Sequence, residues 1–246
     1  MVDNRVSMMG CSIDNLSMEE TIATIDGFIR DGRPHQHVVI NVDKIVKAYR
    51  DPALMDVINA CDLINVDGMP VVWAARLLGI PLKERIAGID LFEALMQRAA
   101  IKGWRVFLLG ARDEIISSVC RIYIDRYPGL VIAGHRNGYW PADQDLLVAE
   151  QVFQSKADLL FVAISSPRKE KFLNSCQDLM RVPFAMGVGG TFDVAAGKVK
   201  RAPLWMQKVG LEWFFRFMQE PKRMFRRYFI EDIYFVRIFI EEWRRR

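Results

Sequence analysis

The sequence predicts a doubly wound, mostly parallel α/β fold of Rossmann-like type with a C-terminal helical appendage, and three observations point to it. Six short β-rich runs are separated by segments long enough to be helices. The runs are apolar almost without interruption, as strands buried on both faces of a parallel sheet must be. After Gly197 the chain changes character and becomes aromatic-rich and Arg-rich, with helical rather than strand-like patterning. A covered parallel sheet followed by a helical appendage satisfies all three.

The elements follow in order. Ser17 and Glu20 have the spacing of a capping box and open a helix expected to run to residue 28. The strands are read as HVVIN (37–41), LINVD (63–67), WRVFLLG (104–110), LVIAG (130–134), DLLFVAI (158–164) and PFAMGVG (183–189). Helical stretches are expected at 88–101, 113–126 and 167–179. In the appendage, 204–219 reads as one helix, Glu220-Pro221 marks a break with Pro221 suited to the next first turn, and helical pattern continues to the end. The division is therefore an α/β catalytic domain, 1–197, and a basic, aromatic-rich appendage, 198–246.

Composition narrows the function classes. With 246 residues, 51% apolar and 26% charged, the chain can bury a large core and is not a disordered or low-complexity sequence. Cys11, Cys61, Cys120 and Cys176 lie far apart, which argues against a metal knuckle or a dense disulfide framework. The N-terminus lacks a basic flank followed by an apolar run, and no apolar run reaches the ~18 residues of a spanning helix. The expectation is a cytoplasmic protein, free or on a membrane surface. The net charge of +4 hides an asymmetry: residues 197–246 hold thirteen Lys and Arg against six Asp and Glu, and 12 of the 27 aromatics. Such a segment on an acidic body is a functional unit of its own. A membrane surface is the first reading of it and a homo-oligomer interface the second; its aromatic density does not fit nucleic acid.

In open parallel sheets ligands bind beyond the carboxyl ends of the strands. Asp67 stands at such an end, with Gly68 allowing close backbone approach, and is a candidate catalytic base; capping the helix that begins near Pro70 is the structural alternative. The turn Gly187-Val188-Gly189-Gly190-Thr191 is a strand-to-helix connection able to offer backbone N–H groups to a phosphate, although it is neither G-x-G-x-x-G nor a P-loop. Arg85 precedes a helix that Asp90 is placed to cap, and can either neutralise a diphosphate or pair with a surface carboxylate. Lys169 falls in a first helical turn, where a cation needs an anion nearby. Asp143-x-Asp145 has a D-x-D spacing explained by its place at a helix start, and His37 in its apolar strand reads as a core residue. No Ser-His-Asp or Cys-His arrangement emerges, and an NAD-type fingerprint is absent from the sequence.

Taken together, INVDGMPVVWAARLLG (64–79), ERIAGIDLFEALM, VFLLGARDEI, YPGLVIAGHRNGYW, DLLFVAISSPRKEKF and GVGGTFDVAAGKVKRAPLWMQKVGLEWFFRFMQEPKRMFRRYF resemble the WecG/TagA/CpsF glycosyltransferases of bacterial envelope and capsule synthesis. The resemblance implies an inverting transfer of a hexosyl unit from a UDP-sugar to a polyprenyl-diphosphate-linked sugar at the cytoplasmic membrane face. It implies a metal-independent reaction with no cofactor. It matches the base of the D-G motif to Asp67 and the diphosphate-steadying Arg to Arg85. It places the turn Gly189, Gly190 and Thr191, with Asp193, at the nucleotide, and matches the appendage arginines to Arg216, Arg223 and Arg226. Asn41 and Gly68 join the substrate-binding set. Val39 stands where many relatives have Thr, and Lys169 where many have Gln, which adds charge beside the sugar or diphosphate. The implied donor sugar is accordingly N-acetylmannosamine, glucose or a uronic acid. A non-catalytic, nucleotide-binding membrane adaptor is the alternative of a different class.

Overall fold

The computed structural model of the protein describes residues 4–226, 228 and 232–246, without the side chains of Lys208, Arg223 and Arg226. Its first element is an antiparallel hairpin, β1 (Arg5–Met8) and β2 (Cys11–Asp14), which the sequence reading missed. Met9 and Gly10 both take positive φ, 52° and 80°, the conformation a two-residue hairpin turn requires. Then come α1 (Met18–Asp31), β3 (His35–Ile40), α2 (Val42–Arg50), α3 (Pro52–Asn59), β4 (Leu63–Val66), α4 (Met69–Leu77), α5 (Gly88–Lys102), β5 (Arg105–Gly110), α6 (Asp113–Arg126) and β6 (Val131–Arg136). A 3-10 turn, Ala142–Gln144, leads into α7 (Asp145–Gln154), β7 (Leu159–Ala163), α8 (Arg168–Met180), β8 (Phe184–Gly187) and α9 (Thr191–Ala195). The C-terminal segment holds α10 (Leu204–Lys208), α11 (Glu212–Gln219), α12 (Pro221–Arg226) and α13 (Tyr234–Arg245).

Local chemistry sets several boundaries. The capping box is formed in full: the Ser17 hydroxyl accepts from the Glu20 N–H and the Glu20 carboxylate accepts from the Ser17 N–H. The helix it opens runs past residue 28 to Asp31, where Gly32 in the left-handed region ends it. Pro221 stands at the first position of α12, as expected. The single helix expected over 204–219 is two helices instead. Gly210, with φ 78°, turns the chain where it meets α4; a Cβ there would sit 2.7 Å from Met69 Cγ, so close approach and the turn occur at one residue.

Six strands form one parallel sheet in the order β4-β3-β8-β7-β5-β6. Helices cover both faces, so the fold is the doubly wound α/β class that the apolar runs predict. Successive strand residues feed opposite layers: Val106, Leu108, Leu159 and Phe161 meet α5 and α6, while Phe107, Leu109, Leu160 and Val162 meet α7 and α8. Phe92 anchors the first layer, packing edge-on to Phe161 and Tyr123. His37 is buried in the sheet, where Nε2 bonds Asn65 Oδ1 at 2.9 Å and burial lowers its pKa to about 4. The hairpin guards the β4 edge: the Asp14 carboxylate accepts the Ile64 N–H, and the Arg5 guanidinium donates to the Cys61 and Asp62 carbonyls.

The last helix is docked on the body. Phe235 and Ile238 of α13 enter the core layer shared by α2, α3 and α4, and Tyr49 of α2 donates to Glu241. Among the described residues no helix is long and apolar enough to cross a membrane.

Candidate active site

The carboxyl ends of the strands open into one cleft of about 1670 Å³. The chain moves outward from β3 to β4 and fills the other side with the later strands, so the cleft lies at the switch in strand order, where α/β sheets bind ligands. Asn41, Asp67, Gly68, Arg85, Lys169, Gly189, Gly190, Thr191, Asp193 and Arg216 all line it. The side chains of Arg223 and Arg226 lie outside the described residues.

Asp67 follows β4, and its N–H donates to the Ile40 carbonyl at 2.8 Å, which continues the strand register by one residue. It does not cap α4: the N-cap is Gly68, whose φ of 95° turns the chain away from the strand. The Asp67 carboxyl faces the backbone N–H groups of Gly68 and Gly88 instead. Burial raises its pKa above the ordinary 3.8, the Arg85 guanidinium opposes that rise, and Glu212 adds to it. A carboxylate kept basic at a cleft floor, with its side chain one third exposed to the cleft, suits proton abstraction.

Arg85 reaches Asp67 because its segment is pinned to the same strand end, the Ile86 N–H donating to the Val66 carbonyl at 2.9 Å. Arg85 Nη1 lies 3.8 Å from Asp67 Oδ1 and 3.2 Å from Glu212 Oε2. Glu212 also lies 3.4 Å from Arg201 Nε, and Arg201 grips Asp90 with two bonds of 2.5 and 2.8 Å. Asp90 is therefore an ion-pair partner and not a cap; the residue at the cap of α5 is Ala87. Glu212 and Arg201 were not singled out from the sequence, where they stand 127 and 111 residues from their partners.

Beside β8 the N–H groups of Gly189 and Gly190 bond to no acceptor among the described residues. The Arg216 guanidinium lies over this turn, with Nη2 3.0 Å from where a Cβ on Gly190 would stand and a buried Nε that has no hydrogen-bond partner among the described residues. Thr191 donates its hydroxyl to the Val188 carbonyl at 2.7 Å and so closes the turn. Asp193 accepts the Lys198 and Val199 N–H groups at its backbone carbonyl, which fixes the departure of the chain toward the appendage. Asn41 caps α2 by accepting the Lys44 N–H at 3.0 Å.

Lys169 has the anion that its first-turn position calls for. Glu170 Oε1 lies 3.3 Å from Lys169 Nζ and 2.8 Å from Lys44 Nζ, all three side chains being buried. Burial together with Lys44 lowers the Lys169 pKa to about 8; burial alone would raise that of Glu170, but the two ammonium groups hold it to about 2. Gly187 makes room for this cluster, since a Cβ there would overlap Cε and Cδ of Lys169. Two cations against one carboxylate leave the cleft wall beneath the glycine turn positive. Next to Lys169, Arg168 stacks on the Trp140 ring at 5.1 Å, and both Arg168 and Trp140 bond the Asp145 carboxylate, so the second acid of D-x-D is an anchor for this part of the cleft wall. No group of three or more metal-ligating side chains is gathered among the described residues.

The appendage presents apolar side chains outward near the cleft. Leu204, Trp205, Val209, Phe214, Met218 and Phe225 are all exposed. Scattered apolar exposure is ordinary, but its concentration on three consecutive helices is not.

Comparison with known proteins gives one consistent family. The model of the glycosyl transferase WecG/TagA/CpsF family matches residues 6–246. An N-acetylglucosaminyldiphosphoundecaprenol N-acetyl-beta-D-mannosaminyltransferase of Bacillus subtilis (strain 168) is 38% identical over 184 residues, covering 75% of this chain and 71% of that protein. A protein of the same name from Bacillus spizizenii is 37% identical over 186 residues, covering 76% and 72%.

Proposed function

The chain belongs to the WecG/TagA/CpsF glycosyltransferase family, and from that premise we propose that it moves a hexosyl unit from a UDP-sugar to a polyprenyl-diphosphate-linked sugar, with inversion, in envelope or exopolysaccharide synthesis. The observation that carries this reading is the convergence of a basic carboxylate, Asp67, with Arg85, Arg216 and the open N–H groups of Gly189 and Gly190 in one cleft. The relatives' names give the acceptor class, a sugar on undecaprenyl diphosphate.

The chemistry follows from the groups. Asp67 takes the proton of the acceptor hydroxyl as that oxygen attacks the anomeric carbon; the bond from that carbon to the diphosphate oxygen breaks and its electron pair leaves with UDP. Negative charge then grows on the diphosphate, and fixed donors aimed at that position lower the barrier most. Arg85, Arg216, Lys169 and the two glycine N–H groups are those donors.

Residues 198–246 form the unit that brings this cleft to a lipid-linked acceptor. Its exposed aromatics enter the interface of an anionic cytoplasmic leaflet, and its basic side chains meet the headgroups. Away from a membrane the same apolar face is where a second copy would cover the first.

The test is product formation with a panel of UDP-hexoses, UDP-N-acetylhexosamines and UDP-hexuronates, a polyprenyl-diphosphate sugar in anionic vesicles, and EDTA throughout. Transfer from one donor class, faster on vesicles than on a detergent-free soluble acceptor, is expected. UDP binding without transfer from any donor would contradict the reading and favour an adaptor.

A further inference from the structure

Five charged side chains of alternating sign run from the cleft floor into the C-terminal segment: Asp67, Arg85, Glu212, Arg201 and Asp90. They come from four separate places, namely the end of β4, the connection before α5, the first turn of α5, and the segment 201–212. We propose that Glu212 is a positioning residue of the active site, holding the Arg85 guanidinium off Asp67 and aimed at the leaving diphosphate, with Arg201 and Asp90 as its fixed support. The proposal rests on the glycosyl-transfer reading and adds to it a residue that acts through Arg85.

The geometry gives the reason. Arg85 Nη1 is nearer to Glu212, at 3.2 Å, than to Asp67, at 3.8 Å. Among the described ion pairs of Arg85, the anion that remains without Glu212 is the base itself. A close Asp67–Arg85 pair would engage the carboxylate oxygen that must accept the acceptor proton, and would turn the guanidinium away from the diphosphate. Among the described residues, the groups facing Asp67 are Arg85, Glu212 and the N–H groups of Gly68 and Gly88, and the cations paired with Glu212 are Arg85 and Arg201. Glu212 therefore acts on Asp67 in two concordant ways, through its own negative charge and by restraining the positive one. The support is rigid: Arg201 holds Asp90 by a two-bond fork, and Gly210, two residues before Glu212, packs its backbone against Met69 of α4. An appendage seated in this way completes the site, so proton abstraction depends on the C-terminal segment being in place.

The experiment uses the full chain with Glu212→Gln, which keeps shape and removes charge. The Asp67 carboxyl is titrated by carbon-13 NMR, its resonance assigned by its absence in Asp67→Asn. In Glu212→Gln the Asp67 titration is expected to move to lower pH, and kcat to fall about tenfold or more while the KM for UDP-sugar changes by less than about threefold. Glu212→Asp is expected to restore part of both. Arg201→Gln, which removes only the support, is expected to move both readouts in the same direction by less, and stands in if Glu212→Gln does not fold. An unmoved Asp67 titration with wild-type kcat would overturn the proposal. A moved titration in a protein whose wild type transfers no sugar would instead overturn the glycosyl-transfer reading and leave the electrostatic coupling standing.

Discussion

Asp67→Asn is expected to lower kcat for sugar transfer by about 10²–10⁴-fold, the range that general base catalysis supplies. The amide keeps the shape of the carboxyl and loses the lone pair that takes the proton. Donor affinity is expected to hold or to tighten, because the substitution removes a negative charge 3.8 Å from Arg85 and leaves that guanidinium more positive toward a diphosphate. The loss is not one of folding. Burial raises the folded-state pKa of Asp67 above its ordinary 3.8, so the ionised form is disfavoured by folding at neutral pH, and Asp67→Asn is expected to melt no lower than wild type. The same shift places the acid limb of kcat/KM above 3.8 in the wild type, and its disappearance in the variant is the kinetic signature of the base. Quenched product assays with saturating donor check the rate, and a variant within about twofold of wild type would remove Asp67 from the chemistry.

Glu170→Gln is expected to cost about 3–5 kcal/mol of folding stability, because it leaves two buried ammonium groups without their shared counter-charge. Lys44 and Lys169 are 5% and 6% exposed, and both reach the one carboxylate oxygen. Lys169→Met is expected to cost less, since it leaves a one-to-one Lys44–Glu170 pair. The pH dependence has a fixed sign. The folded-state pKa of Glu170 is depressed from 4.5 to about 2, so its contribution is present above pH 4.5 and is lost as pH falls through that interval. Glu170→Gln should flatten the acid limb of the stability curve there. Urea titrations of the three proteins at neutral and acid pH measure both effects, and wild-type midpoints in Glu170→Gln would refute the buried cluster.

What the sequence made legible was what local rules govern. Apolar runs without alternation located the strands of the sheet within a few residues; five of them are buried almost throughout because both faces are covered, whereas β6, at the sheet edge, has no fully buried residue. The capping box at Ser17 and the turn after β8 were readable for the same reason: each is closed within three residues. Asp67 was readable as a strand-end acid with a glycine beside it, while setting aside the helix cap needed the φ of Gly68 and the direction of the carboxyl. Glu212, Arg201 and Lys44 were not readable, since what gives each its role is a partner more than ten and up to 127 residues away. The break at Gly210 was missed because its cause is contact with Met69, although a glycine in a helical pattern was a signal in plain view. The hairpin likewise left a trace, with Val6, Met8, Cys11 and Ile13 placing apolar residues around a Met9-Gly10 turn.

A single in-line displacement with Asp67 as base, rather than as a nucleophile that carries the sugar, fixes the stereochemistry of the product. The decisive measurement is the anomeric configuration of the glycosidic bond made by the wild-type enzyme, read from its one-bond C1–H1 coupling and compared with that of the UDP-sugar donor. Inversion is the expected result. Retention would contradict it, since two displacements and a covalent glycosyl intermediate would then be required.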